Sequence, residues 1–128
     1  MTRDHLAAWV AAYERAWRTA GTDALAELFT DDAVYRQSPY AEPVVGLEAI
    51  AEMWDATRSG PDERFRMHAR TVAVEGDVGV VRVDVRYEDP VREYRDLWVV
   101  RLADSRRASS FEEWPFFPGR PLTSSPGS

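Results

Sequence analysis

Arg82 and Asp84 are the first residues whose types and spacing suggest chemistry, because they lie two apart in a run of alternating valines. On a β-strand this spacing places both side chains on one face, where the guanidinium can brace the carboxylate. A carboxylate held in this way can serve as a general acid or base. The simpler interpretation is a solvated ion pair on a half-exposed sheet face, since such pairs are common and contribute little energy.

Asp96 is a second candidate because it lies on an otherwise apolar face of a predicted strand. The residues that share this face by alternation are Tyr94, Trp98, Val100 and Leu102. A carboxylate there is unfavourable unless it pairs with an arginine such as Arg82 or with a ligand. An internal salt bridge and a role in a ligand pocket therefore both stay open.

The two histidines do not have the spacing of a metal site. His68 lies mid-strand between Met67 and Ala69, and His5 lies near the N-terminus. A metal ion would need three or more ligands, found almost entirely among carboxylates. We therefore expect no metal and no cofactor, and His68 stays a candidate for a structural role or for a polar position in a pocket.

Composition narrows the chemistry further. The 128 residues include no cysteine, and all 16 lysine-plus-arginine positions are arginine. The absence of cysteine excludes disulfides, thiolate nucleophiles, iron–sulfur clusters and cysteine zinc sites, and the absence of lysine excludes a Schiff base. The net charge of −6 argues against a nucleic-acid partner. Carboxylates, tyrosines and arginines remain for any chemistry.

The N-terminal residues show no targeting signal. Residues 1–5 lack a basic stretch that leads into a long apolar segment, and the apolar run over residues 6–12 is too short to span a membrane. We expect a cytoplasmic protein with no membrane partner.

Helices and a strand are needed to position these residues, and the first half of the sequence predicts them. Apolar residues at three- and four-residue spacing predict two amphipathic helices, with a short helix between them. The helices are predicted over residues 6–21, 25–29 and 47–60, and a strand over residues 33–38. Gly21 ends the first helix and Gly60-Pro61 ends the third.

From Arg64 onward the hydrophobic period changes to two, which predicts strands over residues 65–75, 78–88, 94–103 and 108–114. The connections at Gly76-Asp77, Asp89-Pro90 and Asp104-Ser105 are typical of tight turns, so the strands form an antiparallel meander. A helical half followed by this meander indicates one α+β domain over residues 1–117. Residues 118–128, rich in Pro, Gly, Ser and Thr, are predicted to form a poorly ordered tail.

Three motifs accompany this order of elements: LFTDDA at residues 28–33, GLEAI at residues 46–50 and FEEWP at residues 111–115. Together they resemble the nuclear transport factor 2-like superfamily, and within it the SnoaL-like domain. The resemblance covers about residues 5–117 and implies a cone-shaped α+β barrel, in which helices pack on a curved, mostly antiparallel sheet around one deep pocket. It also implies a homodimer. Because the fold serves enzymes and binding modules alike, the function stays open.

Limonene epoxide hydrolases of this superfamily carry Tyr-x-Asn-x-Pro on the first strand, Arg-x-Asp on a middle strand and Asp on the last. Here residues 35–39 read YRQSP, residues 82–84 read RVD, and Glu113 takes the last position. The resemblance implies that Tyr35, Gln37 and Glu113 hold and activate a water. Asp84 would protonate the epoxide oxygen, and Arg82 would bridge the two carboxylates. Gln37 and Glu113 each exceed the family's residue by one methylene, and the resulting displacement of the water by about 1 Å can lower the rate about a hundredfold.

A second alternative from the superfamily is a cyclase- or ketosteroid-isomerase-type enzyme that moves a proton with Asp96 or His68. Ketosteroid isomerases place a general-base Asp before a Pro and a protonated Asp in the oxyanion hole. By the resemblance those positions are Ser38 and Trp98 here, and only Tyr13 remains as an oxyanion donor. Their mechanism therefore cannot operate unchanged.

Aromatic residues are numerous, and a fold that keeps a cavity needs some of them as walls. The side chains expected at the pocket are Tyr13, Trp17, Trp54, His68, Asp96 and Trp98. An apolar small molecule, cyclic or aromatic, is the expected ligand. The sequence thus indicates a small-molecule-binding protein that, if it is catalytic, acts as a hydrolase or isomerase without a cofactor.

Overall fold

Helices and strands follow one another in the order that the sequence predicts, in a computed structural model that describes residues 1–58, 64–88 and 91–119. The helices are α1 (Arg3–Trp17), α2 (Leu25–Leu28) and α3 (Leu47–Thr57). The strands are β1 (Phe29–Arg36), β2 (Val44–Val45), β3 (Phe65–Glu75), β4 (Val78–Glu88), β5 (Val91–Leu102) and β6 (Ala108–Phe116).

Helix α1 begins at a capping box formed by Thr2 and His5. The Thr2 hydroxyl accepts a hydrogen bond from the His5 backbone, and the His5 ring accepts one from the Thr2 backbone. The helix ends at Trp17, four residues before Gly21, whose φ of +80° belongs to the turn that follows. One helical face, which includes Leu6 and Tyr13, is buried against the sheet.

The six strands form one open sheet in the order β2-β1-β6-β5-β4-β3. Strands β3 to β6 are the predicted antiparallel meander, and β1 joins it by pairing in parallel with β6. The α+β class, with three helices on a curved and mostly antiparallel sheet, is confirmed. The parallel pairing brings Tyr35 beside Phe111, one strand away from the segment that carries Asp96.

The core fills the space between the helices and one face of the sheet. Its largest fully buried side chains are Trp54, Trp98, Tyr35, Phe29 and Phe111. The Trp9 indole Nε1 donates a 2.9 Å hydrogen bond to the carbonyl of Leu28, which satisfies a polar group inside this apolar layer.

Several element boundaries differ from the prediction, and one short strand was not predicted. Strand β1 begins at Phe29 instead of residue 33, and its pairing with β6 shifts register between Phe29 and Val34, where Asp31 and Asp32 stay exposed. The sequence does not predict strand β2, because two residues are too few to show the alternation of apolar and polar residues that is typical of a strand. Strand β5 begins at Val91 instead of Tyr94. The predicted stop at Gly60-Pro61, the turn at Asp89-Pro90 and residues 120–128 of the predicted tail lie outside the described residues.

None of the helices among the described residues is both long and apolar enough to cross a membrane.

Candidate functional site

A cavity of about 240 Å³ lies between α1, α3 and the inner face of the sheet. Its walls combine aromatic and aliphatic side chains with a few polar ones. The lining residues are Tyr13, Trp17, Tyr35, Gln37, Met53, Thr57, Phe65, Met67, Val85, Tyr87, Arg92, Tyr94, Asp96, Trp98, Glu113 and Pro115. An apolar cavity with a small number of convergent polar groups is typical of a small-molecule site.

The polar groups meet where β1, β6 and β5 lie side by side. The hydroxyl oxygens of Tyr13, on α1, and Tyr35, on β1, are 2.9 Å apart. Tyr35 in turn donates a hydrogen bond of 3.4 Å to Oε1 of Glu113 on β6. Since Glu113 pairs across the strands with Trp98, it also lies near Asp96, two residues earlier on β5. Two phenols and two carboxyls therefore share one wall of the cavity.

Asp96 is the least solvated of the carboxyl groups in this wall, with only 5% of its surface exposed. The Trp98 indole Nε1 donates to its Oδ2 at 3.3 Å. Its Oδ1 is buried and has no hydrogen-bond partner among the residues that the structure describes. In the part of the chain that the structure describes, no cation lies within ion-pair distance of Asp96 or Glu113. The internal salt bridge considered from the sequence is therefore absent from the described residues.

Burial without a cation changes the acidity of both carboxyls. Loss of solvation raises the pKa of Asp96 to about 7, with a smaller contribution from the charge of Asp84, against the opposing effect of the Trp98 hydrogen bond. Loss of solvation also raises the pKa of Glu113 to about 8, and the nearby charge of Asp96 adds to this shift. Hydrogen bonds from Tyr35 and Gln37 act in the opposite direction. The two carboxyls titrate as a pair that keeps a proton near neutral pH.

The two tyrosines stay protonated in this surrounding. Burial raises the pKa of Tyr13 well above its usual range, and the neighbouring Tyr35 and Glu113 raise it further. Burial, followed by the charge of Glu113, does the same to the pKa of Tyr35. Both phenols are therefore hydrogen-bond donors at physiological pH. A carboxyl pair near neutrality, next to fixed donors, can accept a proton at one position and donate one at another.

The family is decided by a match over most of the chain. The SnoaL-like domain matches residues 10–109, which hold the second half of α1, helices α2 and α3, and strands β1 to β5. The chain belongs to the SnoaL-like domain family. No curated protein matches the sequence.

Solved structures of SnoaL-like and related proteins share the fold. An NTF2-like protein of unknown function from Burkholderia xenovorans is 15% identical and superposes with a TM-score of 0.70, covering 97% of this chain and 89% of that one. A candidate polyketide cyclase from Sinorhizobium meliloti is 25% identical, with a TM-score of 0.65 and coverage of 82% and 92%. A candidate ketosteroid isomerase from Parabacteroides distasonis is 17% identical, with a TM-score of 0.61 and coverage of 85% and 86%. The chain thus has the nuclear transport factor 2-like fold.

Most of the residues named from the sequence lie at the cavity of this SnoaL-like protein. Those in its lining are Tyr13, Trp17, Tyr35, Gln37, Asp96, Trp98 and Glu113. The three positions of the water-holding half of the epoxide hydrolase pattern, Tyr35, Gln37 and Glu113, are thus brought together.

Arg82 and Asp84 are not brought to the cavity, contrary to the expectation. Alternation on β4 sends Val81 and Val83 into the core, so Arg82 and Asp84 lie on the opposite, outer face of the sheet. Their side chains are 42% and 54% exposed, and Arg82 Nη2 lies 3.9 Å from Asp84 Oδ1. The pair therefore corresponds to the simpler interpretation, a solvated surface ion pair, and the acid of the epoxide hydrolase pattern is missing from the cavity.

His68 and Trp54 also lie away from the cavity lining. His68 pairs with Asp84 across β3 and β4 and is exposed on the outer face, because Phe65 and Met67 take the inward positions. Trp54 is fully buried in the core, where its ring packs 5.1 Å from Tyr13 and 4.8 Å from Trp17 between centroids. It supports the lining residues from behind. Within the described ranges, no group of three or more histidine and acidic side chains has the arrangement of a metal site.

Arg92 also lines the cavity, although the sequence prediction does not include it. It lies on the same face of β5 as Tyr94 and Asp96, since the three are two residues apart. The alternation that identified Asp96 extends back to Arg92. The predicted strand began at Tyr94, two residues too late to include it.

Proposed function

We propose that this SnoaL-like protein binds a small, largely apolar molecule in the cavity and catalyses proton transfer on it. The observation that carries the proposal is the pair of carboxyls, Asp96 and Glu113, on one wall of the cavity with no ion-pair partner among the described residues. A structural carboxyl is normally paired when it is buried. Two unpaired ones that open into a cavity are typical of acid–base chemistry.

The atoms assign a role to each group. Asp96 lines the cavity and its Oδ1 has no hydrogen-bond partner among the described residues, so we assign to this carboxylate the acceptance of a proton from a bound molecule. The natural donor is a carbon next to a carbonyl group, because the enolate that forms can be stabilised at its oxygen. The protonated form of Glu113, whose Oε1 accepts the Tyr35 hydrogen bond, would donate a hydrogen bond to the enolate oxygen.

The proton that Asp96 accepts can return to a different carbon of the same molecule. Return to another carbon moves a double bond, which is an isomerisation. Attack of the enolate carbon on a second carbonyl forms a carbon–carbon bond, and Asp96 then returns the proton to the new alkoxide, which is a cyclisation. Either sequence leaves Asp96 ionised again and needs no cofactor. Similar folds in proteins named as a candidate ketosteroid isomerase and a candidate polyketide cyclase support this class of reaction without deciding between its two forms.

Hydrolysis is a second candidate because Tyr35, Gln37 and Glu113 line the same cavity. These residues could hold a water, with Asp96 rather than Asp84 as the acid. The two functions differ in what enters the product. Hydrolysis of an epoxide incorporates oxygen from water, whereas proton transfer exchanges only hydrogen, so incubation in ¹⁸O-labelled water separates them.

A direct test follows α-hydrogen exchange in an enolisable two-ring ketone, 2-tetralone, in D₂O by NMR. We expect the protein to accelerate exchange and Asp96→Asn to lower the acceleration at least about a hundredfold, because the amide cannot accept the proton. Asp31→Asn is the matched control, since it removes an exposed carboxylate that lies outside the cavity lining. Equal rates for wild type and Asp96→Asn, or equal losses in both variants, would contradict the proposal.

A further inference from the structure

Arg92 is the only cationic side chain in the cavity lining given by the described residues. It lies at the start of β5, and its face of the strand continues through Tyr94 to Asp96. A strand rises about 3.3 Å per residue, so the Cα atoms of Arg92 and Asp96 are about 13 Å apart. The cation and the carboxyl pair therefore occupy different ends of the cavity.

Among the described residues, Arg92 is held by an aromatic ring and not by an anion. Its guanidinium carbon lies 4.5 Å from the centroid of the Tyr87 ring, which holds the group by a cation–π contact. Its Nε is buried and has no hydrogen-bond partner among the described residues. No acidic oxygen among the described residues lies within 4.0 Å of it. A planar guanidinium stacked on a ring keeps its N–H donors at its edge, free for an anion.

Arg86 and Arg58, in contrast to Arg92, have polar partners among the described residues. Arg86 forms an ion pair with Glu93, the residue next to Arg92, at 3.9 Å. Arg58 donates to the backbone carbonyls of three residues that follow or end α1. Among the described residues, Arg92 forms no ion pair with the acidic neighbours Glu88 and Glu93. The raised pKa values of Asp96 and Glu113 also owe nothing to an arginine, so the charge of Arg92 is not neutralised by the carboxyl pair.

The walls between the two ends are aromatic and aliphatic. Tyr87 and Tyr94 pack edge to face with their centroids 6.0 Å apart, and Met67 and Val85 also line the cavity. A molecule that reaches from Arg92 to Asp96 must therefore have an apolar ring portion in its middle. A charged group of that molecule is compatible only with the end that lies at Arg92.

We propose that Arg92 determines substrate specificity by binding a carboxylate of a ring-containing molecule whose reactive carbon reaches Asp96. The position of the reactive carbon rests on the proposed function. The binding of the carboxylate by Arg92 does not rest on the proposed function, because binding at this end of the cavity can be measured without catalysis. A bidentate contact of the guanidinium with a carboxylate would fix the molecule's orientation in the cavity.

The test compares two flat aromatic probes of the same shape, 2-naphthoate and the neutral 2-naphthamide. Their dissociation constants are measured by quenching of tryptophan fluorescence, because Trp17 and Trp98 line the cavity. We expect wild type to prefer 2-naphthoate. Arg92→Gln should weaken 2-naphthoate binding about 10- to 100-fold and change 2-naphthamide binding less than about threefold, since only the charged contact is lost.

Arg95→Gln is the matched control, because Arg95 is exposed on the other face of the same strand. It should bind both probes as wild type does. Arg92→Lys, which keeps the charge and loses the planar fork, should give an intermediate affinity for 2-naphthoate. Melting curves show whether each variant is folded. If Arg92→Gln does not fold, the comparison of Arg92→Lys with wild type still tests the proposal.

The proposal is overturned if wild type binds neither probe or does not prefer the anion, or if the folded Arg92 variants keep the wild-type preference. An equal loss in Arg95→Gln would also overturn it, since the preference would then come from the general field of the surface. These outcomes are separable from the proposed function. If Asp96→Asn leaves proton exchange unchanged while Arg92 variants lose the anion preference, the carboxylate site stands and the catalytic proposal fails.

Discussion

The chemistry at the residue scale depends on where protons reside on Asp96 and Glu113. The fold buries each carboxyl away from water. No cation among the described residues neutralises the charge that each would carry when ionised. Each carboxyl therefore costs stability whenever it ionises in the folded state. A function that needs a base near neutral pH explains why such groups are present in the cavity at all.

This cost gives the protein a pH-dependent stability with a definite sign. Carboxyls in an unfolded chain have a pKa of about 4, whereas in the folded protein burial raises the pKa of Asp96 to about 7 and of Glu113 to about 8. Between these limits the folded state binds more protons than the unfolded state. The free energy of unfolding therefore falls as the pH rises from about 4 to about 8.

Glu113→Gln should remove part of this dependence. We expect the variant to be more stable than wild type at pH 8, by on the order of 1–3 kcal/mol, and equal to wild type near pH 3, where the glutamate is protonated in both states. The measurement is urea unfolding at both pH values. Glu112→Gln, on the outer face of the same strand, should keep the wild-type profile. A Glu113→Gln variant whose stability tracks wild type at every pH would show that Glu113 is not held protonated.

At the element scale, α1 lies unusually close to β4 at Gly79. A Cβ atom on Gly79 would lie 2.5 Å from Cδ2 of Leu6, which is fully buried and has little room to move. Glycine at this position therefore sets the distance between the helix and the sheet, and with it the position of Tyr13 above the cavity.

Gly79→Ala should destabilise the protein by about 1–3 kcal/mol, because the added methyl group overpacks the core. Thermal or denaturant unfolding measures the loss. In a double-mutant cycle, Leu6→Ala should cost less in the Gly79→Ala background than in wild type, since the smaller side chain makes room for the methyl group. Additive effects would show that the two residues do not limit each other.

The elements also show how far the sequence determines the fold. Strict alternation and the Gly76-Asp77 turn predicted β3 and β4 with the bounds that the structure has, because both signals are local. The parallel pairing of β1 with β6 joins segments about 75 residues apart, and no local pattern encodes it. That pairing is what places Tyr35 near Glu113, so their proximity was expected only from the resemblance to a family.

The candidate site was predictable in part for the same reason. Alternation identified Asp96 as a carboxyl on an apolar face, and the structure places it there. Alternation also divides β4 into a valine face and a charged face without saying which one turns inward. Packing of α1 on the valine face decides this, and it leaves Arg82 and Asp84 outside. The alternation that predicts β5 starts at Tyr94, three residues after the observed start at Val91, so the prediction omits Arg92.

At the scale of the whole molecule, the fold separates two surfaces of the sheet. The inner face carries the cavity, and the outer face carries both exposed charges and apolar side chains such as Leu97 and Trp114. The homodimer implied by the resemblance stays a prediction, and the outer face is the surface that it would use. The lining residues of the cavity given above all belong to one chain, so the proposed chemistry is assigned to a single copy.

The central claim is that the Asp96–Glu113 pair transfers protons, and the pH dependence of its catalysis tests this most directly. The measurement is the rate of α-hydrogen exchange in 2-tetralone from pH 5 to pH 10, with the rate without protein subtracted. Activity should rise as the pair loses its first proton and fall as it loses the second, with a maximum at about pH 7–8 from the raised pKa values of Asp96 and Glu113. Asp96→Asn should abolish this bell-shaped profile. A rate independent of pH, or the same bell-shaped profile in Asp96→Asn, would contradict the claim.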